Sequence, residues 1–166
     1  MELSSETIKK IKKNKKRLEN KLKIKIEINQ NNINLEGNGL DIYAGERVLE
    51  AINKDFPVSA ALLLADEEYT LEDIQIKNIT KKKNLIPVRA RIIGTKGKTL
   101  KTLSELTSCH ISLHDNIVSI IGPSDKIKET TTAIKNLIRG RKQANVYSYL
   151  EKYREKELLG DLGLKE

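Results

Sequence analysis

Arg89-Ala90-Arg91-Ile92-Ile93-Gly94-Thr95-Lys96-Gly97-Lys98-Thr99 is the stretch whose reading decides the fold of this 166-residue chain. Gly94 and Gly97 frame two polar residues, Thr95 and Lys96. Upstream, Leu85 to Ile93 reads as a short helix, with Pro87 tolerable in its first turn. Downstream, Leu100, Leu103 and Leu106 recur at near-helical spacing, so Lys98 to Thr107 is a second helix. A Gly-x-x-Gly loop in that setting can bring backbone N–H groups close to nucleic-acid phosphates, because neither glycine has a Cβ to hold the backbone away. The surroundings carry the matching charge. No Asp or Glu occurs from Ile74 to Ser104, whereas Lys81, Lys82, Lys83, Arg89, Arg91, Lys96, Lys98 and Lys101 all fall there.

Outward from the loop, period-2 and period-3.6 patterns alternate. Leu71 to Ile79 reads as a strand before the two helices. After them, Cys109 to His114 alternates as a strand with Ile111 and Leu113 on one face, Asp115-Asn116 forms a turn, and Ile117 to Ile121 returns. Gly122-Pro123-Ser124 breaks that strand and starts a helix to about Ile138, and Gln143 to Leu159 reads as a further helix. The order is β-α-α-β-β-α plus a C-terminal helix.

An ungapped shift of 85 residues lays the chain on itself. Ile26-Glu27-Ile28 falls on Ile111-Ser112-Leu113; Ile33, Leu35 and Gly37 fall on Val118, Ile120 and Gly122; Ile42, Leu49 and Ile52 fall on Ile127, Ile134 and Leu137. Agreement at core-type positions across strands and helices argues for two copies of one unit. In the first, Ile8 to Leu22 covers the helical region, Lys23 to Ile28 and Asn32 to Glu36 form a hairpin, and Asp41 to Asn53 closes the unit. Only Met1 to Ser4 remain for a first strand. By the same shift Lys9 and Lys12 stand where Gly94 and Gly97 stand in the second copy, so the first copy lacks the glycine loop. Lys9, Lys10, Lys12, Lys13, Lys15 and Lys16 either attract nucleic acid diffusely or form a solvated helix face.

Composition excludes several classes. The net charge is +8, which fits a nucleic-acid or acidic partner. Five Tyr, one Phe and no Trp argue against a sheet that stacks bases on exposed rings. Cys109 is the single cysteine, so no internal disulfide or Cys-based zinc site is expected, and it reads as a small core residue. His110 and His114 share a strand face with no carboxylate cluster beside them, a poor metal site. Gly-Lys-Thr at 97–99 has Gly94 too close for Walker spacing, and there is no nucleophile elbow. The expectation is a non-enzyme with no cofactor and no bound metal. With no apolar run of signal-peptide or transmembrane length, a cytoplasmic protein without membrane contact is expected.

The β-α-α-β-β-α order around Gly-x-x-Gly resembles the eukaryotic type I KH domain rather than the type II order. A longer series is more specific: Arg89 to Thr99, then Glu105-Leu106-Thr107, Ile111-Ser112, Ile120-Ile121-Gly122 and Val146-Tyr147-Ser148-Tyr149-Leu150-Glu151. It resembles the archaeal Dim/Pno/Krr-type proteins. The resemblance implies an α+β fold of two tandem type I KH domains, each a three-stranded antiparallel sheet packed against helices, plus a C-terminal helix. Expected bounds are a degenerate KH domain at 1–58, an acidic connector at 59–73, a KH domain with the glycine loop at 74–140, and the C-terminal helix at 141–166. It further implies a factor that binds single-stranded RNA at the 3′ end of 16S ribosomal RNA during small-subunit maturation. The implied protein partners are the endonuclease that trims that end and the alpha subunit of translation initiation factor two. A KH adaptor that mainly docks such proteins, or a general messenger-RNA regulator, are the alternatives.

In this reading the N–H groups of Thr95, Lys96, Gly97 and Lys98 point at phosphate, aided by the positive end of the helix that follows. Lys96, Lys98 and Lys101 add charge without sequence information. Arg89 and Arg91 line the groove or stack on a base. Ile92, Ile93, Ile111 and Leu113 are candidates for its apolar floor.

Overall fold

A computed structural model describes residues 3–163. The chain divides into two compact units, Met1–Leu71 and Glu72–Glu166.

In the first unit no glycine or proline precedes Gly37, so nothing interrupts an early helix. Helix α1 runs Ser5–Leu22 without a break. Ser4 caps it, its hydroxyl accepting from the Thr7 N–H at 3.1 Å. Ile8, Ile11, Leu18 and Leu22 form its buried stripe, and Lys23 ends it in the left-handed region at φ 55°. Strands β1 (Lys25–Asn29) and β2 (Asn32–Glu36) pair antiparallel, Ile26 opposite Leu35 and Ile28 opposite Ile33. Asn38 caps α2 (Gly39–Asn53), accepting from the Asp41 N–H at 2.9 Å.

The stretch expected as an acidic connector is folded chain. It holds a short helix α3 (Val58–Ala61) and a 3-10 turn at Leu62–Ala65, and Ala60, Ala61 and Leu64 are buried. The Arg47 guanidinium secures it by donating to the carbonyls of Leu64 (3.2 Å) and Tyr69 (2.8 Å). Among the described residues this unit has a two-stranded sheet, where three strands were expected. Of the residues assigned to its first strand, Met1 and Glu2 lie outside the described ones, and Ser4 caps α1.

Strand β3 spans Tyr69–Gln75, beginning two residues earlier than the sequence pattern placed it, and leads across the Leu71–Glu72 division into the second unit. The pattern ran on to Ile79 because Ile74, Ile76 and Ile79 are all apolar, but Ile76–Ile79 is a helical turn, α4. Ile76 there donates its N–H to the Asn116 carbonyl at 3.0 Å. Helices α5 (Ile86–Ile93) and α6 (Lys98–Thr107) flank the glycine loop. Strands β4 (His110–His114) and β5 (Ile117–Pro123) follow, then α7 (Ser124–Ile138) and α8 (Gln143–Asp161). The sheet order is β3-β5-β4, with β4 and β5 antiparallel. Ile74, Val88, Ile92, Leu103, Val118, Ile120, Ile134, Leu137, Val146 and Leu150 meet in one core, so every helix from α5 to α8 is pinned to the sheet by its own apolar stripe. Cys109 is part of that core, and burial pushes its thiol pKa up.

The 85-residue offset extends to the backbone. β1, β2 and α2 begin at Lys25, Asn32 and Gly39, and β4, β5 and α7 begin at His110, Ile117 and Ser124. Residues with positive φ recur at the same offset: Lys23 with Ser108, Gln30 with Asp115, Asp55 with Gly140. Within the stretch that the offset matches, the units part ahead of the hairpin. Where the second has helix, loop and helix, the first has the single helix α1.

Candidate nucleic-acid interface

Helix α5 ends at Gly94, which sits at φ 75° and ψ 173°, and whose N–H donates to the Ala90 carbonyl at 2.8 Å. A Cβ on Gly94 would collide with the Thr99 side chain and come within 2.7 Å of the Thr99 nitrogen. Both the backbone angle and the space therefore require glycine there. Lys96 occupies the left-handed region at φ 53°, ψ 32°. A non-glycine residue there costs about 1 kcal/mol, and such strain gathers at functional sites. Gly97 follows at φ 73°, ψ 12°. A Cβ on Gly97 would meet nothing within 4 Å. Gly94 thus faces protein, and Gly97 faces open space.

The loop closes partly on itself. The Gly97 N–H donates to the Gly94 carbonyl at 3.2 Å, and the Lys98 N–H to the Thr95 carbonyl. Of the amides expected to face a phosphate, these two are already engaged, which leaves those of Thr95 and Lys96 as candidates. The reason is the 3-10 turn at Thr95–Gly97, whose i+3 bonds sequence spacing did not reveal. The side chains of Thr95, Lys96 and Lys98 are exposed, as is Lys101 one turn along α6.

A brace supports the loop from behind. Gln143, the first residue of α8, donates from Nε2 to the Arg91 carbonyl (3.2 Å) and to Thr99 Oγ1 (3.0 Å). One amide thus ties the last turn of α5 to the first turn of α6, across the mouth of the loop. Neither Thr99 nor Gln143 was legible as a site residue, because their roles arise only when α8 folds back. A groove lined by Ala90, Gly94, Thr95, Lys98, Thr102, Gln143 and Tyr147 runs beside this brace.

The other candidates separate by burial. Ile92 is fully buried and belongs to the core, so it offers no surface to a base. Ile93 is half-buried, on the turn that enters the loop. Ile111 and Leu113, opposite Ile120 and Val118 on β4, pack against the core but stay half-exposed because β4 is the last strand of the sheet. Arg91 donates from Nη2 to the carbonyls of Gly140 (3.0 Å) and Arg141 (2.9 Å). It thereby satisfies acceptors where α7 ends, and stacking on a base would break two hydrogen bonds. Arg89 is half-buried on α5, and its Nε is buried without a hydrogen-bond partner among the described residues. On β4, His114 Nε2 lies 3.4 Å from Asp115 Oδ2.

Residues 70–155 match the model of the second KH domain of Pno1, described as a eukaryotic-type (type I) KH domain. The chain belongs to the Dim2/Pno1-type KH family. The matched segment runs from β3 into α8, so the glycine loop and its Gln143 brace lie inside the KH match. A KH domain-containing protein of Methanocaldococcus jannaschii is 30% identical over 149 residues, which are 86% of this chain and 66% of that protein. The chain therefore spans a little under two thirds of that curated relative. The crystal structure of Dim2p from Pyrococcus horikoshii superposes with a TM-score of 0.80 at 29% identity, over 92% of this chain and 96% of the other. A chain in the a/eIF2alpha-aDim2p-rRNA complex from the same organism superposes at 0.81 and 28% identity, over 94% and 93% of the two chains. No helix among the described residues is long and apolar enough to cross a membrane.

Proposed function

We propose that this KH protein binds single-stranded ribosomal RNA through the loop from Gly94 to Lys98 and serves small-subunit maturation in the cytoplasm. The observation that carries the reading is Gly97, at positive φ with open space where its Cβ would be, among exposed Thr95, Lys96 and Lys98. A phosphate can approach that bare backbone as it cannot approach any residue with a side chain. The amides of Thr95 and Lys96 hold it, Lys96, Lys98 and Lys101 add charge, and the run held is about four nucleotides. Ile93, Ile111 and Leu113 supply the apolar floor, with Arg89 at the groove wall.

The first unit is a second KH repeat that has lost its loop; the matched element starts and positive-φ positions at the 85-residue offset support this. The target is the 3′ end of 16S ribosomal RNA. The Pyrococcus complex, which contains both rRNA and a/eIF2alpha, supports an RNA partner and the initiation-factor alpha subunit together. The maturation endonuclease would be a further partner. Crosslinking the protein to RNA in cell extract and sequencing what is recovered tests this. Reads should pile up at the small-subunit 3′ end. Reads spread over messenger RNA would instead favour a general regulator, and recovery of protein partners without RNA an adaptor.

A further inference from the structure

Away from the glycine loop, the far half of α8 borders a groove that the loop does not use. Val146 and Leu150 bury the first half of the helix, whereas none of residues 151–163 is buried. Tyr153, Glu157 and Asp161 continue the line of Leu150 at three- and four-residue spacing, which keeps side chains on one side of a helix. With Lys126, Glu129 and Thr130 of α7, they line a cavity of about 130 Å³. Leu106 and Thr107, the last residues of α6, line it too. Beside it Leu158 is 55% exposed, and Leu162, one turn on, is 71% exposed. Single exposed leucines need no explanation, but two on one helix edge beside a cavity form an uncovered apolar ridge.

The charge around the cavity runs against that of the chain. Glu129, Glu157 and Asp161 meet only Lys126 and Arg154 there, and the carbonyl end of α6 adds partial negative charge. Tyr153 senses the same field: burial, then the charges of Glu157, Glu129 and Asp125, push its phenol pKa up. The chain as a whole carries +8. Size narrows the occupant further. A cavity of roughly 150 Å³ holds one benzene-sized apolar group, so this one takes a single aliphatic side chain and no nucleotide. From Leu150 to Asp161 α8 rises about 16 Å, enough to run beside three turns of a second helix.

We infer that this groove docks a basic amphipathic helix of a protein partner, which seats one aliphatic side chain in the cavity and sets its Lys or Arg residues against Glu157 and Asp161. An apolar ridge beside a pocket suits a helix laid in a groove, and the carboxylates repel phosphate. The inference goes beyond the RNA reading and stands without it.

The test uses the full chain and two labelled 18-residue peptides with leucines at i, i+3, i+4 and i+7 spacing. One carries lysine at every other position and the second carries glutamate there. A chain of charge +8 attracts the acidic peptide by default, so the groove predicts the opposite order. The lysine peptide should bind about tenfold tighter in fluorescence polarisation, with amide shifts at Thr107, Ser108, Tyr153, Glu157 and Leu158. Glu157→Gln with Asp161→Asn should weaken it about tenfold, and Leu158→Ala about fivefold, with no fall in melting temperature or in affinity for the 16S 3′-terminal RNA. Tighter binding of the glutamate peptide, or amide shifts away from these residues, overturns the inference. So does a fall in RNA affinity in either variant, which would make the groove an RNA contact. A mass that rises with concentration in the parent but not in the variants overturns it too, by giving the groove to a second copy of this chain. The loop reading is decided separately, by Gly97→Asp.

Discussion

Gly94 and Gly97 are three positions apart and do different work. Gly94 keeps the protein folded, since a Cβ there would collide with Thr99. Gly94→Ala should therefore lower stability by about 2 kcal/mol or more, through overpacking and an unfavourable φ, measured by denaturant unfolding. Gly97 has open space around it, so its substitution adds only the left-handed penalty of about 1 kcal/mol, less for Asp or Asn. Lys96 offers the reverse separation. It sits strained at φ 53°, so Lys96→Gly should leave stability unchanged or raise it by up to about 1 kcal/mol. The same change should weaken RNA binding and flatten the salt slope by about 0.7 for the lost phosphate contact. A variant that is more stable and binds worse assigns the strain to function. The need for two glycines was legible from the spacing alone. Which of them faces the protein was not, because that depends on where Thr99 packs.

Among the elements, α8 has a larger part than its sequence suggested. Gln143 braces the loop, and Val146 and Leu150 enter the core. Gln143→Ala should cost about 1 kcal/mol and raise hydrogen exchange at Thr95 to Lys98, because the α5–α6 junction loses its tie. Farther along, the Tyr149 hydroxyl donates to the Glu129 carboxylate on α7. That hydrogen bond, with burial and the nearby charge, pushes the phenol pKa up to about 12 from its ordinary value of 10.0. The folded chain therefore favours the protonated ring. This contribution is complete below pH 10 and fades as pH rises through about 12. Phenolate absorbance should show Tyr149 titrating late, and Tyr149→Phe should remove the transition near pH 12. Strand and helix order in the second unit could be read from periodicity. The short turn at Ile76–Ile79 could not, because Ile74, Ile76 and Ile79 fit a strand until the hydrogen bond from Ile76 to Asn116 is known.

For the whole molecule, the starts of two strands and a helix recur at an 85-residue offset, with glycines at 94 and 97 where lysines stand at 9 and 12. The repeat was visible in the apolar positions, and the lysines at 9 and 12 already marked the missing loop. The two-stranded sheet among the first unit's described residues and the folded state of residues 58–65 were not, since each depends on tertiary packing. The central claim is that RNA affinity is concentrated at the loop of the second unit. With four phosphates neutralised there, the loop alone contributes a salt slope of roughly −3. The most direct test is Gly97→Asp, with RNA affinity measured by fluorescence polarisation and folding by thermal melting. The account predicts a melting temperature within a few degrees of the parent and loss of specific binding to the 16S 3′-terminal RNA. Unchanged affinity in a folded variant would contradict it.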